Sequence, residues 1–271
     1  MKNNKLYLIP TPIGNYDDIT IRALRILEFV DVLLCEDTRE TGKLLSNFNI
    51  KKKLVSCHDH NEEQMCSKVI EYLDNGLNIG LVTDQGTPII SDPGYKIVAN
   101  AAKANYSIVS LPGATAFVPA LTLSALSPQP FLFYGFLNSK RSKLLKELDT
   151  LKNYTFTMVF YESPKRINDT LKNMLEIFGN RRIALVRELT KKYEEVIRTD
   201  INEYLNNEFV IKGEIVLVVE GIKQNYQNLS IKEHVDLYLQ DNMTLNEAMK
   251  KVAKERGLAK SIIYKEYHKD K

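Results

Sequence analysis

Short β-rich segments alternate with amphipathic helical segments over the first 125 residues, and this alternation constrains the fold more than any other feature. Strands that alternate with helices typically form one mostly parallel sheet with helices on both faces, so the pattern predicts an α/β fold. We expect Asp17 or Asp18 to cap the first helix and Gly76 to end the third. The predicted strands cover 5–9, 31–35, 54–57, 78–83 and 107–111, and the predicted helices cover 19–30, 39–47, 62–76, 94–104 and 114–125.

The second half of the chain has strands joined by shorter connections, which favours more antiparallel pairing. We therefore predict two α/β domains, residues 1–127 and 128–222. In the second domain, a charged segment covers 139–153, a helix covers 164–178, and strands cover 131–137, 154–162, 181–189, 194–199 and 213–221.

Residues 231–271 form a third piece, predicted as a helix over 231–240 followed by a helix, a Gly257 turn and a helix over 244–268. The last 28 residues contain eight Lys or Arg and four Asp or Glu, although the whole chain has a net charge of only +3. A basic helix-turn-helix suggests a nucleic-acid contact, and a solvated basic helical extension explains the same composition equally well.

The cysteines and the apolar segments indicate the cellular environment. Three cysteines without a CxxC pair argue against a disulfide framework and favour a reducing cytoplasm. Residues 104–139 carry no charge, but four prolines interrupt any helix long enough to cross a membrane. The sequence predicts a soluble cytoplasmic protein with no membrane partner.

Glycine- and proline-rich loops follow three strands of the first domain, at residues 10–15, 83–94 and 111–115. In an open α/β sheet, ligands bind outside the carboxyl ends of the strands, so three such loops predict a ligand cleft. The chain lacks GxGxxG, GxxxxGK[ST] and GxSxG motifs. Their absence argues against a standard dinucleotide-binding fold, a P-loop kinase and the nucleophile elbow of serine hydrolases.

Polar segments at other strand ends supply candidate chemistry. Cys57-His-Asp-His60 with Cys66 suggests a metal site, but Cys66 falls inside a predicted helix, so we favour a polar rim of the cleft without metal. Three carboxylates end predicted strands and would converge at a cleft between two domains: Glu36, Glu162 and Glu188.

Eight motifs occur in the order seen in one family: TPIGN, CEDTR, HDHNE, TDQGTPIISDPG, LPGATA, FYESPKR, RELTKKYEE and KGEIVLVVEG. Over residues 5–221 the chain resembles the small-subunit rRNA ribose 2′-O-methyltransferases (the RsmI family) of the tetrapyrrole methylase superfamily, or class III methyltransferases. Its helical extension also looks like that family's C-terminal extension. Gln85 departs from the small residue, commonly Ala, that the family carries in this loop.

The resemblance implies two α/β domains of tetrapyrrole-methylase type with a cleft for S-adenosylmethionine between them, and a homodimer. It implies methylation of a cytidine 2′-hydroxyl in the decoding region of 16S rRNA, with the assembled 30S subunit as the favoured substrate. The residues implied in cofactor binding are Pro12, Gly14, Asp84, Gly86, Thr87, Pro88, Ser91, Pro112, Gly113, Ala116, Tyr161, Leu189, Glu214 and Val216.

The chemistry of this reaction points to further candidates. A ribose hydroxyl is a weak acid, so a carboxylate or histidine should take its proton, and the candidates are Glu36, Asp37, His58 and His60, with Arg39 orienting a charged group. RNA binding would use the basic extension and five cations of the second domain, which are Lys140, Arg141, Lys143, Lys165 and Arg166.

Three alternatives stay open at this point. A class III methyltransferase with a small-molecule, tetrapyrrole-like or protein acceptor would have the same fold. A catalytically silent RNA-binding assembly factor would keep the cofactor pocket without turnover. A metal-dependent hydrolase would be built on His58 and His60.

Overall fold

The chain folds into two compact units, Met1–Ile222 and Lys223–Lys271. A computed structural model describes residues 4–58, 60–207, 209–222, 229–240 and 243–269. The strands are β1 (Lys5–Leu8), β2 (Val32–Cys35), β3 (Lys53–Ser56), β4 (Ile79–Leu81), β5 (Ser107–Ser110), β6 (Phe131–Phe136), β7 (Thr157–Glu162), β8 (Arg182–Arg187), β9 (Glu195–Asp200) and β10 (Ile215–Val219). The helices are α1 (Ile21–Phe29), α2 (Thr38–Asn47), α3 (Glu62–Asp74), α4 (Tyr95–Lys103), α5 (Phe117–Leu123), α6 (Arg141–Leu151), α7 (Ile167–Phe178), α8 (Ile201–Asn206), α9 (Ile231–Gln240), α10 (Leu245–Arg256) and α11 (Lys260–Tyr267).

The first sheet is fully parallel and has the strand order β3-β2-β4-β1-β5, which confirms the α/β prediction. Its strands are nearly continuous apolar runs because helices cover both faces. Successive residues of β2 therefore enter different cores: Leu33 packs with Ile9 and Leu27, whereas Leu34 packs with Leu6. Because the strands run parallel, the loops after β1, β2, β4 and β5 meet at one edge of the sheet.

The second sheet is mixed, with the order β6-β7-β10-β8-β9. Only β6 and β7 pair in parallel, and the other three pairs are antiparallel, as the short connections predict. One face packs on α6, α7 and α8 around Phe160 and Leu217. The other face packs on Ile13 and on Ala120 of α5, so the first-sheet loops and the second sheet share one apolar cluster.

Some local predictions need correction. Thr20, not Asp17 or Asp18, caps α1: its side chain accepts from the Ala23 amide at 3.0 Å, and the two aspartates belong to a short 3-10 helix. The predicted helix over 114–125 starts later, because residues 111–116 run as a loop before α5. Helix α8 was not predicted; it is only six residues long.

The C-terminal unit contains α9, α10 and α11, where the sequence predicts a helix followed by a helix-turn-helix. Within the described residues, no helix is both long and apolar enough to cross a membrane.

Candidate functional site

Hydrogen bonds and close packing join the loops at the carboxyl edge of the first sheet. The backbones of Thr11 and Gly86 form a two-hydrogen-bond bridge, with N–O distances of 2.9 and 3.0 Å. The Thr87 hydroxyl donates to the Ala114 carbonyl at 2.9 Å, which ties in the third loop. Gly113 packs on Pro10 so closely that a Cβ there would lie 2.4 Å from the proline ring. The three glycine- and proline-rich loops therefore form one continuous wall.

A cavity of about 700 Å³ lies between this wall and the second sheet. Its size is in the range of small-molecule and cofactor sites, and its surface is largely apolar. The lining residues are Ile13, Gln85, Gly86, Thr87, Ile90, Ser91, Asp92, Thr115, Ala116, Phe136, Tyr161, Glu162, Ser163, Pro164, Val186, Glu188, Leu189, Lys191, Gly213, Glu214, Ile215 and Val216.

The structure brings part of the predicted cofactor set to this cavity. Eight of the predicted cofactor-binding residues line the cavity: Gly86, Thr87, Ser91, Ala116, Tyr161, Leu189, Glu214 and Val216. Six others lie outside the lining: Pro12, Gly14, Asp84, Pro88, Pro112 and Gly113. Gly14 and Gly113 instead provide close packing between segments, because a side chain at either position would collide with a neighbour.

A charged cluster forms one side of the cavity. Lys191 Nζ lies 3.3 Å from Glu188 Oε1 and 2.8 Å from Glu214 Oε2. Burial works to raise the pKa of Glu188, but the Glu214 amide and the Lys191 ammonium outweigh it and hold that pKa below its usual value. Burial works against the charged form of Lys191, yet the two carboxylates raise its pKa. Glu188 and Lys191 therefore stay ionised near neutral pH.

Carboxylates outnumber cations around the cavity. Four acidic side chains line it and one basic side chain does. Glu162 is the most buried of them: it accepts from the Thr170 hydroxyl at 2.6 Å and from the Ser163 amide at 2.8 Å. A cavity with an excess of fixed carboxylates favours a cationic ligand.

The five catalytic candidates lie at the carboxyl edge of the first sheet, outside the cavity lining. Asp37 binds Arg39 through both carboxylate oxygens, and this hydrogen bonding lowers the pKa of Asp37 to about 2. The Thr83 hydroxyl lies 3.4 Å from the Glu36 carboxylate, and the Asp37 amide donates to Asp84 at 3.1 Å. Burial raises the pKa of Asp84. The hydrogen bond from the Asp37 amide works against this rise, and the charge of the Asp37 carboxylate adds to it. This polar edge (Glu36, Asp37, Thr83, Asp84) reaches the cavity wall at the next residue, Gln85.

The two histidines lie one strand further along the edge. The His58 and His60 rings are 6.0 Å apart, and His58 Nδ1 is buried without a hydrogen-bond partner in the described part of the chain. No group of three or more His, Cys, Asp or Glu among the described residues is arranged to hold a metal ion. The cysteines Cys35, Cys57 and Cys66 are buried and unbonded to one another.

Two of the five predicted RNA-binding cations are engaged within the protein. Arg166 donates to the carbonyls of Leu137 and Asn138 and lies 3.4 Å from the buried Glu162 carboxylate. Arg141 binds Asn173 and Glu176. The other three, Lys140, Lys143 and Lys165, are exposed.

Seven polar residues of the lining were not among the predicted cofactor-binding or catalytic residues: Gln85, Asp92, Thr115, Glu162, Ser163, Glu188 and Lys191. Glu162 and Glu188 end predicted strands, and the structure brings both to the cavity while Glu36 stays outside the lining. Nothing in the sequence pattern indicated that Lys191 lies at the cavity. Its position depends on the turn after β8, where Glu188 and Thr190 have positive φ values of 50° and 64°.

Comparison with known proteins assigns the family. The profile of the family described as Tetrapyrrole (Corrin/Porphyrin) Methylases matches residues 5–204. A curated Bacillus subtilis protein named ribosomal RNA small subunit methyltransferase I is 48% identical over 97% of this chain and 94% of its own length. The protein of the same name from Halalkalibacterium halodurans is 44% identical over 98% of this chain and 95% of its own length. The chain belongs to the ribosomal RNA small subunit methyltransferase I family.

Solved structures show how the fold of this methyltransferase I family member compares with more distant proteins. A Thermus thermophilus uroporphyrin-III-C-methyltransferase aligns with a TM-score of 0.59 at 20% identity, covering 80% of this chain and 94% of its own. A diphthine synthase aligns with a TM-score of 0.62 at 12% identity, covering 80% of this chain and 90% of its own. At these identities the likeness shows the fold alone, and it confirms the tetrapyrrole-methylase architecture.

Proposed function

We propose that this chain methylates the 2′-oxygen of a cytidine in the decoding region of 16S rRNA, within the assembled 30S subunit in the cytoplasm. The cofactor is S-adenosylmethionine; another Thermus thermophilus uroporphyrin-III C-methyltransferase of this fold was solved as a complex with S-adenosylhomocysteine. Support comes mainly from one observation: a cavity rich in carboxylates lies directly beside a polar edge suited to a hydroxyl acceptor.

The cavity suits the chemical groups of this cofactor. Its apolar lining residues, which include Ile13, Leu189 and Val216, offer a surface for a purine ring. Its carboxylates Glu188 and Glu214 can hold a cationic group, and Lys191 between them can meet a carboxylate. The cavity of about 700 Å³ is large enough for a ligand of this class. When bound, the cofactor supplies a methyl group that its sulfonium centre has already activated.

The protein then has to align the acceptor oxygen and remove its proton. A positioned carboxylate or imidazole accelerates such a step by roughly 10²–10⁴-fold. Asp37 is poorly suited to this role, because Arg39 keeps it ionised and lowers its basicity. Glu36, His58 and His60 remain the candidate bases, and the half-buried Asp84 lies on the same polar edge as Glu36, where that edge meets the cavity. Arg39 is exposed and can orient a phosphate of the substrate while still facing Asp37.

We further propose that the molecule acts as a homodimer and that rRNA phosphates contact Lys140, Lys143 and Lys165. These three lysines are exposed near the ends of β6 and β7 that border the cavity. Phosphate contacts make binding depend on salt concentration, so affinity for subunits should fall steeply as salt is added.

The test is methyl transfer from labelled S-adenosylmethionine to three acceptors: 30S subunits from cells lacking the enzyme, the naked 16S rRNA, and a tetrapyrrole. The proposal predicts label in the RNA of the subunits and little in the other two. Label in a tetrapyrrole or in ribosomal protein would replace the proposed acceptor. Cofactor binding without transfer to any acceptor would favour a catalytically silent assembly factor.

A further inference from the structure

The C-terminal unit is a three-helix bundle in which every helix packs on the other two. Its core contains Val235 and Tyr238 of α9, Met249 and Val252 of α10, and Ile263 of α11. A core with contributions from all three helices fixes each helix relative to the others. The outward face of α11 is therefore a surface of defined shape.

A three-residue turn joins α10 to α11. Gly257 adopts a left-handed conformation with φ 64°, and the Leu258 amide donates to the Ala253 carbonyl at 2.9 Å, which closes the end of α10. Ala259 occupies the N-cap position of α11 and makes no side-chain capping bond. Two helices joined by a short turn with glycine are the arrangement that helix-turn-helix proteins use to present their second helix to nucleic acid.

A partly buried polar network holds this turn in place. Glu255 accepts from the Tyr238 hydroxyl at 2.8 Å and binds His234 Nε2 at 3.0 Å. Arg256 donates to His234 Nδ1 at 3.0 Å. The last two residues of α10 are thereby fixed to α9, so the start of α11 cannot pivot freely.

The outward face of α11 is basic and aromatic. Residues three and four apart on a helix share a face. Such spacings link Lys260, Ser261, Tyr264 and Lys265, and all four residues are exposed. The Tyr264 ring is 58% exposed and lies 4.5 Å from the ring of His268. None of the four residues is acidic. We call these four residues the α11 face.

We propose that the α11 face binds an unpaired segment of RNA. Lys260 and Lys265 would contact phosphates on either side of a base that stacks on Tyr264. A-form RNA has a deep, narrow major groove that a helix cannot enter, and paired bases do not expose their rings, so the face fits unpaired nucleotides and not a duplex. The identity of this RNA as part of the small subunit rests on the proposed function.

The test measures binding of the full chain to a labelled single-stranded RNA of about ten nucleotides at a series of salt concentrations. Tyr264→Ala should weaken binding at least about fivefold at every salt concentration and leave the salt slope unchanged, because stacking releases no counterions. Tyr264→Phe keeps the ring and should bind like the parent. Lys265→Gln should reduce the slope of log affinity against log salt by about 0.7.

The matched control is Lys232→Gln on α9, which removes the same charge from the same unit but from another helix. It should change the affinity less than twofold. Equal losses for Lys232→Gln and Lys265→Gln would show diffuse charge attraction and overturn the α11 face, as would parent-like binding by Tyr264→Ala. Binding of duplex RNA or duplex DNA with the same dependence on Tyr264 would also contradict it.

This inference and the proposed function fail in different ways. If the parent methylates subunits but no substitution in α11 changes the affinity for single-stranded RNA, the proposed function stands and RNA binding by the α11 face is excluded. If the parent transfers no methyl group but binds single-stranded RNA in a Tyr264-dependent way, the α11 face stands and the function is wrong. Hydrogen exchange of α10 amides, unchanged in each variant, shows that the bundle remains folded.

Discussion

The side chain of Lys191 lies directly against Gly14: a Cβ at residue 14 would be 2.4 Å from Lys191 Cγ. The same lysine binds Glu188 and Glu214 at the cavity. One contact thus links the loop after β1 to the charged cluster on the second sheet. Gly14 contributes to the cavity through this packing although it does not line the cavity itself.

Gly14→Ala should displace Lys191 and weaken cofactor binding several-fold, with a loss of about 1–3 kcal/mol in unfolding free energy from overpacking. Gly42→Ala is the matched control, because nothing lies within 4 Å of a Cβ at that position in α2. That change should stabilise the protein by about 0.5–1 kcal/mol and leave cofactor affinity unchanged. Calorimetric titration and denaturant unfolding measure the two effects, and equal affinities for both variants would contradict the packing role of Gly14.

Lys191→Met should move the pH dependence of cofactor binding. Lys191 helps keep the pKa of Glu188 below its usual value, so without it Glu188 takes up a proton at a higher pH as the solution is acidified. The variant should therefore begin to lose affinity for the cationic cofactor at a higher pH than the parent. Titrations across the acidic range test this, and superimposable affinity profiles would rule it out.

Glu36→Ala combined with His60→Ala should lower kcat by roughly 10²–10⁴-fold if either residue removes the acceptor proton. Neither residue lines the cavity, so the dissociation constant of the cofactor should not change. Asp37→Asn is the control variant. Because the Asp37 carboxylate is already paired with Arg39, this substitution should change kcat only slightly. Unchanged turnover in the double variant would exclude both residues as the base.

Arg166→Ala should destabilise the protein by an amount on the order of 2 kcal/mol, because it leaves the buried Glu162 carboxylate without its cation and two carbonyls without a donor. Lys165→Ala, one residue away and exposed, should leave stability unchanged and reduce RNA affinity at low salt. Thermal unfolding distinguishes the two. Equal stability of both variants would show that the Arg166 contacts contribute nothing.

Acidification should loosen the C-terminal bundle through His234. Burial lowers the pKa of His234 below its ordinary value, and Arg256 donates to its Nδ1, which must be unprotonated. The unfolded state binds the proton more tightly, so stability should be full above about pH 6.5 and fall as pH drops through the window below it. Protection of the α10 amides against hydrogen exchange, measured across this pH range, tests this prediction, and protection that does not change would contradict it.

The sequence predicted the strand and helix succession well, because apolar periodicity and loop residues are local signals. Thr20 and the two aspartates show the limit: several capping residues stand side by side, and only the tertiary position of α1 selects one. The site was predicted in part. Residues next to strands, such as Gly86 and Glu214, reach the cavity. The role of Lys191 instead depends on a turn with positive φ values and on distant partners, which are Glu214 just before β10 and Gly14 in the loop after β1.

Alkaline hydrolysis distinguishes ribose methylation of small-subunit RNA from methylation of a base. Subunits from cells lacking the enzyme are incubated with this chain and labelled S-adenosylmethionine, and their RNA is then cleaved in alkali, which requires a free 2′-hydroxyl. If the chain methylates a cytidine ribose, a single alkali-resistant dinucleotide that begins with cytidine carries the label. Label released entirely as mononucleotides would place the methyl group on a base and contradict the proposed function.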